Sequence, residues 1–254
     1  MFSLENKTAV VTGAAGGIGR AAAERYVQAG ARVVITDIVD SLSVANEIGA
    51  EFILMDVGSE ESVRAGFSEA AELLGPLDIV VNNAGIGDVG SVLAETAQEL
   101  MERTTRINQW GVFYGLKHAP ALMNDGGSIV NTSSLAALLK MAGSGAYSAT
   151  KAAVISLTKM AALELGQRGI RVNAVCPGYI ATALGSGEEG RTLCEQFTAL
   201  GRVGTTEDLA GVFHFLAAQE SSYLTGQAIV VDGGWSCGPS PQILNTILGT
   251  NTVT

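Results

Sequence analysis

Seven short runs rich in β-branched residues, most of them separated by helix-like stretches, set the strongest limit on how this chain can fold. The runs lie at 8–12, 32–36, 51–55, 79–82, 128–132, 171–175 and 228–231. Most are apolar almost throughout, the composition of parallel strands covered on both faces. Between them lie amphipathic or alanine-rich stretches at 18–29, 60–74, 98–123, 147–168 and 206–218. Such alternation predicts an α/β fold, a Rossmann-like, doubly wound parallel sheet with helices on both faces. The 254 residues contain no Pro/Ser-rich linker, internal repeat or low-complexity block, so a single domain over 1–254 is expected. Two regions break the rhythm. Residues 183–204 carry Gly185, Gly187, Gly190 and a charged patch, and predict a loop with a short helix. Residues 237–254 are rich in Pro, Gly, Asn and Thr, and predict a tail, either packed or frayed.

The first run leads into Thr12-Gly13-Ala14-Ala15-Gly16-Gly17-Ile18-Gly19 and then a helical pattern. Glycines at 13, 17 and 19 allow a tight turn and a close backbone approach to a pyrophosphate. The free amides and the dipole of a helix N-terminus favour negative charge there. A glycine-rich turn without a ligand is the plainer reading, but strand, turn and helix fall in the order that dinucleotide binding requires. The second run ends at Asp37, 18 residues past Gly19. A carboxylate in that place accepts hydrogen bonds from a ribose diol and repels a 2′-phosphate. Neither Gly16 nor Ile38 is basic, and Arg20 and Arg32 have ordinary surface explanations, so NAD is expected rather than NADP. Asp56-Val57 follows the third run, and Asn82-Asn83-Ala84-Gly85 ends the fourth. Loops at strand C-terminal ends form the binding crevice of such sheets, and the small Ala84 and Gly85 would let a flat coenzyme lie close.

Tyr147 and Lys151 are four residues apart, about one helical turn, so they project from one helix face. A phenol ordinarily ionises near pH ~10, too high for a base at neutral pH. A fixed cation beside it is expected to pull that value down. Ser134, 13 residues before the tyrosine, offers a hydroxyl that would hydrogen-bond a reacting oxygen. Tyrosine and lysine at this spacing also occur by chance, so the reading depends on the coenzyme site beside them.

Charge narrows the partners. The net charge of −10 argues against nucleic acid and against anionic membrane surfaces. Only 16% of residues are charged, which suggests surface covered by other subunits or a large apolar core. Cys176, Cys194 and Cys237 are odd in number and widely spaced, which predicts free thiols in a reducing, cytoplasmic setting. His118 and His214 lack metal-ligand spacing, so no metal is expected. The start, Met-Phe-Ser-Leu-Glu-Asn-Lys, shows no secretory signal pattern, and no apolar run reaches bilayer-spanning length.

Together these pieces resemble the short-chain dehydrogenase/reductase family in its small single-domain form, from about Lys7 to Trp235. The resemblance rests on T-G-A-A-G-G-I-G at 12–19, D-V at 56–57, N-N-A-G at 82–85, Asn108, Ser134, Y-S-A-T-K at 147–151, P-G at 177–178 with Thr182, and D-G-G at 232–234. It implies a seven-stranded sheet and a homotetramer or dimer. It implies Tyr147 as general acid/base, with Lys151 binding the nicotinamide ribose and lowering the tyrosine pKa. Ser134, rather than Ser133, would hold the substrate oxygen, and Asn108 would hold a water linking Lys151 to solvent. Pro177, Gly178, Ile180 and Thr182 would touch the nicotinamide. Asp56 and Val57 would flank the adenine, and Asn83, Ala84 and Gly85 the adenosine side.

The implied reaction interconverts a secondary alcohol and a ketone with NAD. Substrate walls are expected from 85–90, 135–141, Tyr179 and 183–200. The apolar Leu135-Ala-Ala-Leu-Leu-Lys-Met141 favours a hydrophobic or cyclic small molecule, with Lys140 facing solvent or an anion. The ending Asp232-Gly-Gly-Trp-Ser-Cys-Gly-Pro239 is similar to that of bacterial hydroxysteroid dehydrogenases. The competing readings are an acyl-carrier-protein ketoreductase, opposed by Asp37 and the acidic balance, and a non-catalytic dinucleotide sensor, opposed by the intact Tyr147 and Lys151. A dehalogenase on the same fold is opposed by the intact glycine motif.

Overall fold

The computed structural model describes residues 2–87, 92–182 and 188–250. Seven parallel strands form one sheet in the order β3-β2-β1-β4-β5-β6-β7. They are β1 Thr8–Thr12, β2 Arg32–Asp37, β3 Glu51–Leu54, β4 Leu77–Asn82, β5 Met123–Thr132, β6 Arg171–Pro177 and β7 Ala228–Val231. The sheet is the Rossmann-like architecture that the alternating pattern predicts. Period-two alternation divides each central strand between two cores. In β1, Ala9 and Val11 face one cluster and Val10 the other.

Helices cover both faces. On one, α1 Gly17–Gln28 and α8 Thr206–Ala217 pack Ala22, Ala23 and Tyr26 against Leu209, Phe213 and Leu216. On the other, α3 Glu60–Leu74 buries Val63, Phe67 and Ala70, and α6 Gly145–Leu165 buries Ala161 and Ala162. Each large apolar side chain removed from water on these faces contributes roughly 1.5–3 kcal/mol. Thr205 begins α8 with a reciprocal cap: its side chain accepts from the Asp208 amide, and Asp208 accepts from the Thr205 amide.

The expected 98–123 helix is four pieces. Helix α4 Gln98–Thr104 runs through a π-type turn, Thr105–Trp110, into α5 Gly111–His118 and a 3₁₀ turn, Ala119–Leu122. Pro120 and the return into β5 end it. Strand β5 also begins five residues earlier than expected, at Met123 rather than 128, because Met123 pairs with Leu77 before a register irregularity. Helix α2 Leu42–Ile48 escaped the sequence pattern: only Ala45 and Ile48 are buried, too few to show a periodicity. In the first irregular region α7 Glu188–Phe197 is the short helix; residues 183–187 lie outside the described part. The tail packs rather than frays over α9 Pro241–Leu248, with Ser240 capping it and donating to the Gln196 carbonyl; residues 251–254 lie outside the description. Among the described residues no helix is long and apolar enough to cross a membrane.

Candidate active site

The strand order reverses between β1 and β4, and the candidate residues gather above the C-terminal ends of the strands at that crevice. The glycine loop leaves β1 with Gly13 at φ 64° and Gly17 at φ 57°, a left-handed backbone that side chains resist. A Cβ on Gly13 would stand 2.5 Å from the Ala84 Cα, and one on Gly19 would press on the Gly13 carbonyl oxygen. The loop is therefore folded against the 83–85 turn with no room to spare. Asn83 binds it there, its side-chain amide donating to the carbonyls of Thr12 and Gly13, both at 3.1 Å. The Thr12 hydroxyl accepts from the amides of Asn83 and Ala84 at 3.0 and 3.1 Å.

These residues fit a dinucleotide. The N-terminus of α1 has no side-chain cap and no acidic residue in its first turn, so the amides around Gly17, Ile18 and Gly19 keep donors free for an anion. Space beyond Gly16 is open to 4 Å. Asp37 ends β2 with its carboxylate fixed at the loop: Oδ2 accepts from Ala15 at 3.0 Å, and Oδ1 from Ile38 at 2.8 Å and Val39 at 3.3 Å. Arg20 is paired with Glu47 at 2.6 Å, and Arg32 donates to the Leu73 and Leu74 carbonyls. Both arginines are thus engaged elsewhere. Asp56 and Val57 lie just past β3, with Asp56 accepting from Gly58 at 2.8 Å. On the far side, Pro177 ends β6 and Gly178 donates to Val231 at 2.9 Å. Ile180 is buried and paired with Gly204. Thr182 reaches back over the glycine loop, its Cγ2 3.4 Å from where a Gly17 Cβ would lie.

Helix α6 carries Tyr147 and Lys151, and the lysine Nζ lies 5.7 Å from the tyrosine ring centre. Lys151 is buried and donates to the Thr132 carbonyl at 2.9 Å. Ser134, just past β5, stands close enough to the Tyr147 phenol to favour its ionised form, and its Oγ accepts from Ala136 at 3.1 Å. Asn108 sits in the π-type turn. Its side chain is spent on the Ile86 backbone, accepting from the amide at 2.8 Å and donating to the carbonyl at 2.9 Å, and it reaches Thr150 at 3.4 Å. Gly85 completes the cluster: a Cβ there would stand 3.1 Å from Asn108 Oδ1 and 3.3 Å from Lys151 Nζ.

One electrostatic expectation is corrected. The lysine is expected to pull the phenol pKa down, but in this structure burial pushes Tyr147 up, opposed by the neighbouring Ser134 and helped by Cys176. Burial also lowers Lys151 from 10.5 to about 8, against the pull of Cys176. At neutral pH Lys151 still carries its charge, but its ammonium is turned toward the Thr132 carbonyl.

The expected site residues are therefore all placed around one crevice, at different depths. Thr12, Thr132, Ile86, Thr150 and Cys176 join them without having been singled out. Only Thr12, directly before Gly13, carried a sequence signal; the others arrive through strand register and helix packing. Lys140 is exposed, as expected, and donates back to the carbonyls of Ala136 and Ala137 at 2.9 and 2.5 Å, capping the short turn at Leu135–Ala137. Of the expected walls, Leu135 and Ala137 are buried and Leu138, Leu139 and Met141 exposed. Tyr179 lies flush against Gly190 of α7. Residues 88–90 and 183–187 lie outside the described part.

Comparisons with known proteins agree. The family model described as Enoyl-(Acyl carrier protein) reductase matches residues 13–236. The chain is 40% identical over 239 residues to a borneol dehydrogenase of Lavandula x intermedia, covering 92% of each chain. It is 39% identical over 238 residues to the meso-2,3-butanediol dehydrogenase of Serratia marcescens, covering 91% of this chain and 94% of that one. A blue fluorescent protein from a metagenomic library, solved in complex with NADPH, superposes with a TM-score of 0.88 at 36% identity, over 92% of this chain and 99% of the other. Likeness that runs through both the sequence and the sheet for nearly its whole length makes this chain an oxidoreductase of the short-chain dehydrogenase/reductase family.

Proposed function

We propose that the protein is an NAD-dependent oxidoreductase that interconverts a secondary alcohol and a ketone, with Ser134, Tyr147, Lys151 and Asn108 as its working residues. The observation that carries this reading is the Lys151 ammonium 5.7 Å from the Tyr147 ring centre, with Ser134 beside the same phenol, next to a glycine loop fit for a dinucleotide. The bound nicotinamide would supply or accept the hydride. Ser134 would hold the substrate oxygen against the Tyr147 hydroxyl. In ketone reduction Tyr147 gives its proton to that oxygen, a role suited to a phenol that burial keeps protonated. In alcohol oxidation it takes the proton, helped by the Lys151 ammonium 5.7 Å from the ring centre. Lys151, poised to gain or lose a proton near pH 8, would pass it on to a water beside Asn108. Asn108 also clamps the Ile86 backbone, which holds Gly85 beside Lys151.

NAD is supported by the Asp37 carboxylate, fixed by three backbone amides where a 2′-phosphate would sit, and by the engagement of Arg20 with Glu47. One relative was solved with NADPH, so the choice for this chain falls to the residues after β2. Leu135, Ala137, Ile180 and Met141 support a hydrophobic or cyclic substrate. The borneol relative fits that class, whereas the butanediol relative accepts a small one. Exposed apolar side chains on the α5–α6 side, Trp110, Met160 and Leu163, support assembly into a homotetramer or dimer. The free thiols support a cytoplasmic setting.

The test is a panel of secondary alcohols and ketones, followed by the near-ultraviolet absorbance of reduced nicotinamide with each coenzyme. We expect turnover with NAD to exceed that with NADP at least about tenfold. Tyr147→Phe is expected to lower kcat by about a thousandfold or more while NADH still binds. A Tyr147→Phe enzyme of near-normal rate would remove the tyrosine from its role.

A further inference from the structure

We propose that Arg106 is a positioning residue for the adenine end of the coenzyme, acting through Asp56. The inference rests on the dinucleotide reading above. Asp56 stands two residues beyond β3, on the adenine side of the crevice. Its Oδ1 is taken by the Gly58 amide at 2.8 Å. Its Oδ2 faces the Arg106 guanidinium at 3.8 Å, close enough for attraction but beyond a hydrogen bond. That oxygen therefore keeps its acceptor capacity while a cation fixes which way it points. The fit is built on both sides. A Cβ on Gly58 would stand 2.5 Å from Arg106 Nη1, so the guanidinium lies directly over this glycine and would have to move for a larger residue. At the other end of the π-type turn, a Cβ on Gly111 would stand 3.0 Å from the Val57 Cβ. The segment that carries Asn108 is thus pressed against residues 56–58 at two points, and Arg106 is its charged contact.

An acceptor held in this way selects a donor. The exocyclic amine of adenine is one; the exocyclic oxygen that replaces it at C6 in hypoxanthine is not. Arg106 is half-exposed, so its effect is modest, about three- to fivefold in affinity.

The experiment measures dissociation constants of NADH and its hypoxanthine analogue by fluorescence titration of the full-length protein and its variants. Arg106→Gln is expected to weaken NADH about three- to fivefold, and Arg106→Lys less, with unchanged melting temperature. The hypoxanthine analogue should bind both Arg106 variants and the wild type alike. In an Asp56→Asn background, Arg106→Gln should add no further loss. Equal weakening of both coenzymes would show that Arg106 touches the ring face or a phosphate directly, and would overturn the proposal, as would no change with either. Wild-type protein that binds neither coenzyme would overturn the dinucleotide reading beneath it, a result separable from the other two.

Discussion

Lys151 shows what burying a cation costs a fold. It is buried among α6, β5 and the 85–86 turn, with a single carbonyl, that of Thr132, for its ammonium. Burial favours the neutral form, so its pKa falls from 10.5 to about 8. The sign follows from proton counts. Between these two values the unfolded chain binds the proton and the folded one does not, so stability rises with pH across that window. Below about pH 8 both states carry the charge, and the folded state bears a penalty of roughly 3 kcal/mol, at ~1.4 kcal/mol per tenfold change. Lys151→Met removes the charge and forfeits one hydrogen bond of about 1 kcal/mol. We expect the variant to be inactive yet about 1–2 kcal/mol more stable at pH 7, by thermal melting without coenzyme. Its advantage should shrink as the pH is raised from 8 towards 10.5. An unchanged difference across that range would count against a buried, titrating lysine. At this scale the spacing of Tyr147 and Lys151 was legible in the sequence. The direction of the phenol's shift was not, because spacing reports neighbours along a helix and says nothing of the layers packed over it.

The glycine loop and the π-type turn sit at opposite ends of legibility among the elements. Glycines 13, 17 and 19 announce a tight turn because positive φ and close backbone approach have few other solutions. Gly13→Ala would put a Cβ 2.5 Å from the Ala84 Cα at φ 64°. We expect a loss of about 2 kcal/mol or more in stability and at least tenfold in NADH affinity, measured by melting and by titration. Full retention of both would mean that the 83–85 turn is not anchored here. The π-type turn left no such mark. Thr105–Trp110 reads as ordinary helix, since nothing in its side chains forbids one. The extra width is set by what the turn must reach: Asn108 to the Ile86 backbone, and Arg106 to the loop of Asp56. Helix α2 was illegible for another reason, because an element that buries two side chains carries almost no pattern.

At the level of the whole molecule, the surface still carries apolar area that one chain leaves uncovered. Trp110 packs against Phe113 and Tyr114 at one end of α5, and Met160 and Leu163 project from α6. Leu163 is 77% exposed, so a charge there costs the single chain little. We expect the wild type to sediment as a tetramer or dimer and Met160→Glu/Leu163→Glu to shift it to a smaller species; a wild-type monomer would remove the subunit reading. The order of the strands was open in the sequence, which offered seven apolar runs but no neighbours for them. Period and punctuation determined by themselves that strands and helices would alternate, where the chain must turn tightly, and that a phenol and an ammonium share one helix face. These are local properties, fixed by backbone sterics and by the repeat of side chains along a single element. Which turn the lysine is buried beneath, which carbonyl it meets and how Asn108 is held were decided by the tertiary structure alone, because burial and hydrogen-bond partners come from residues far apart in the chain.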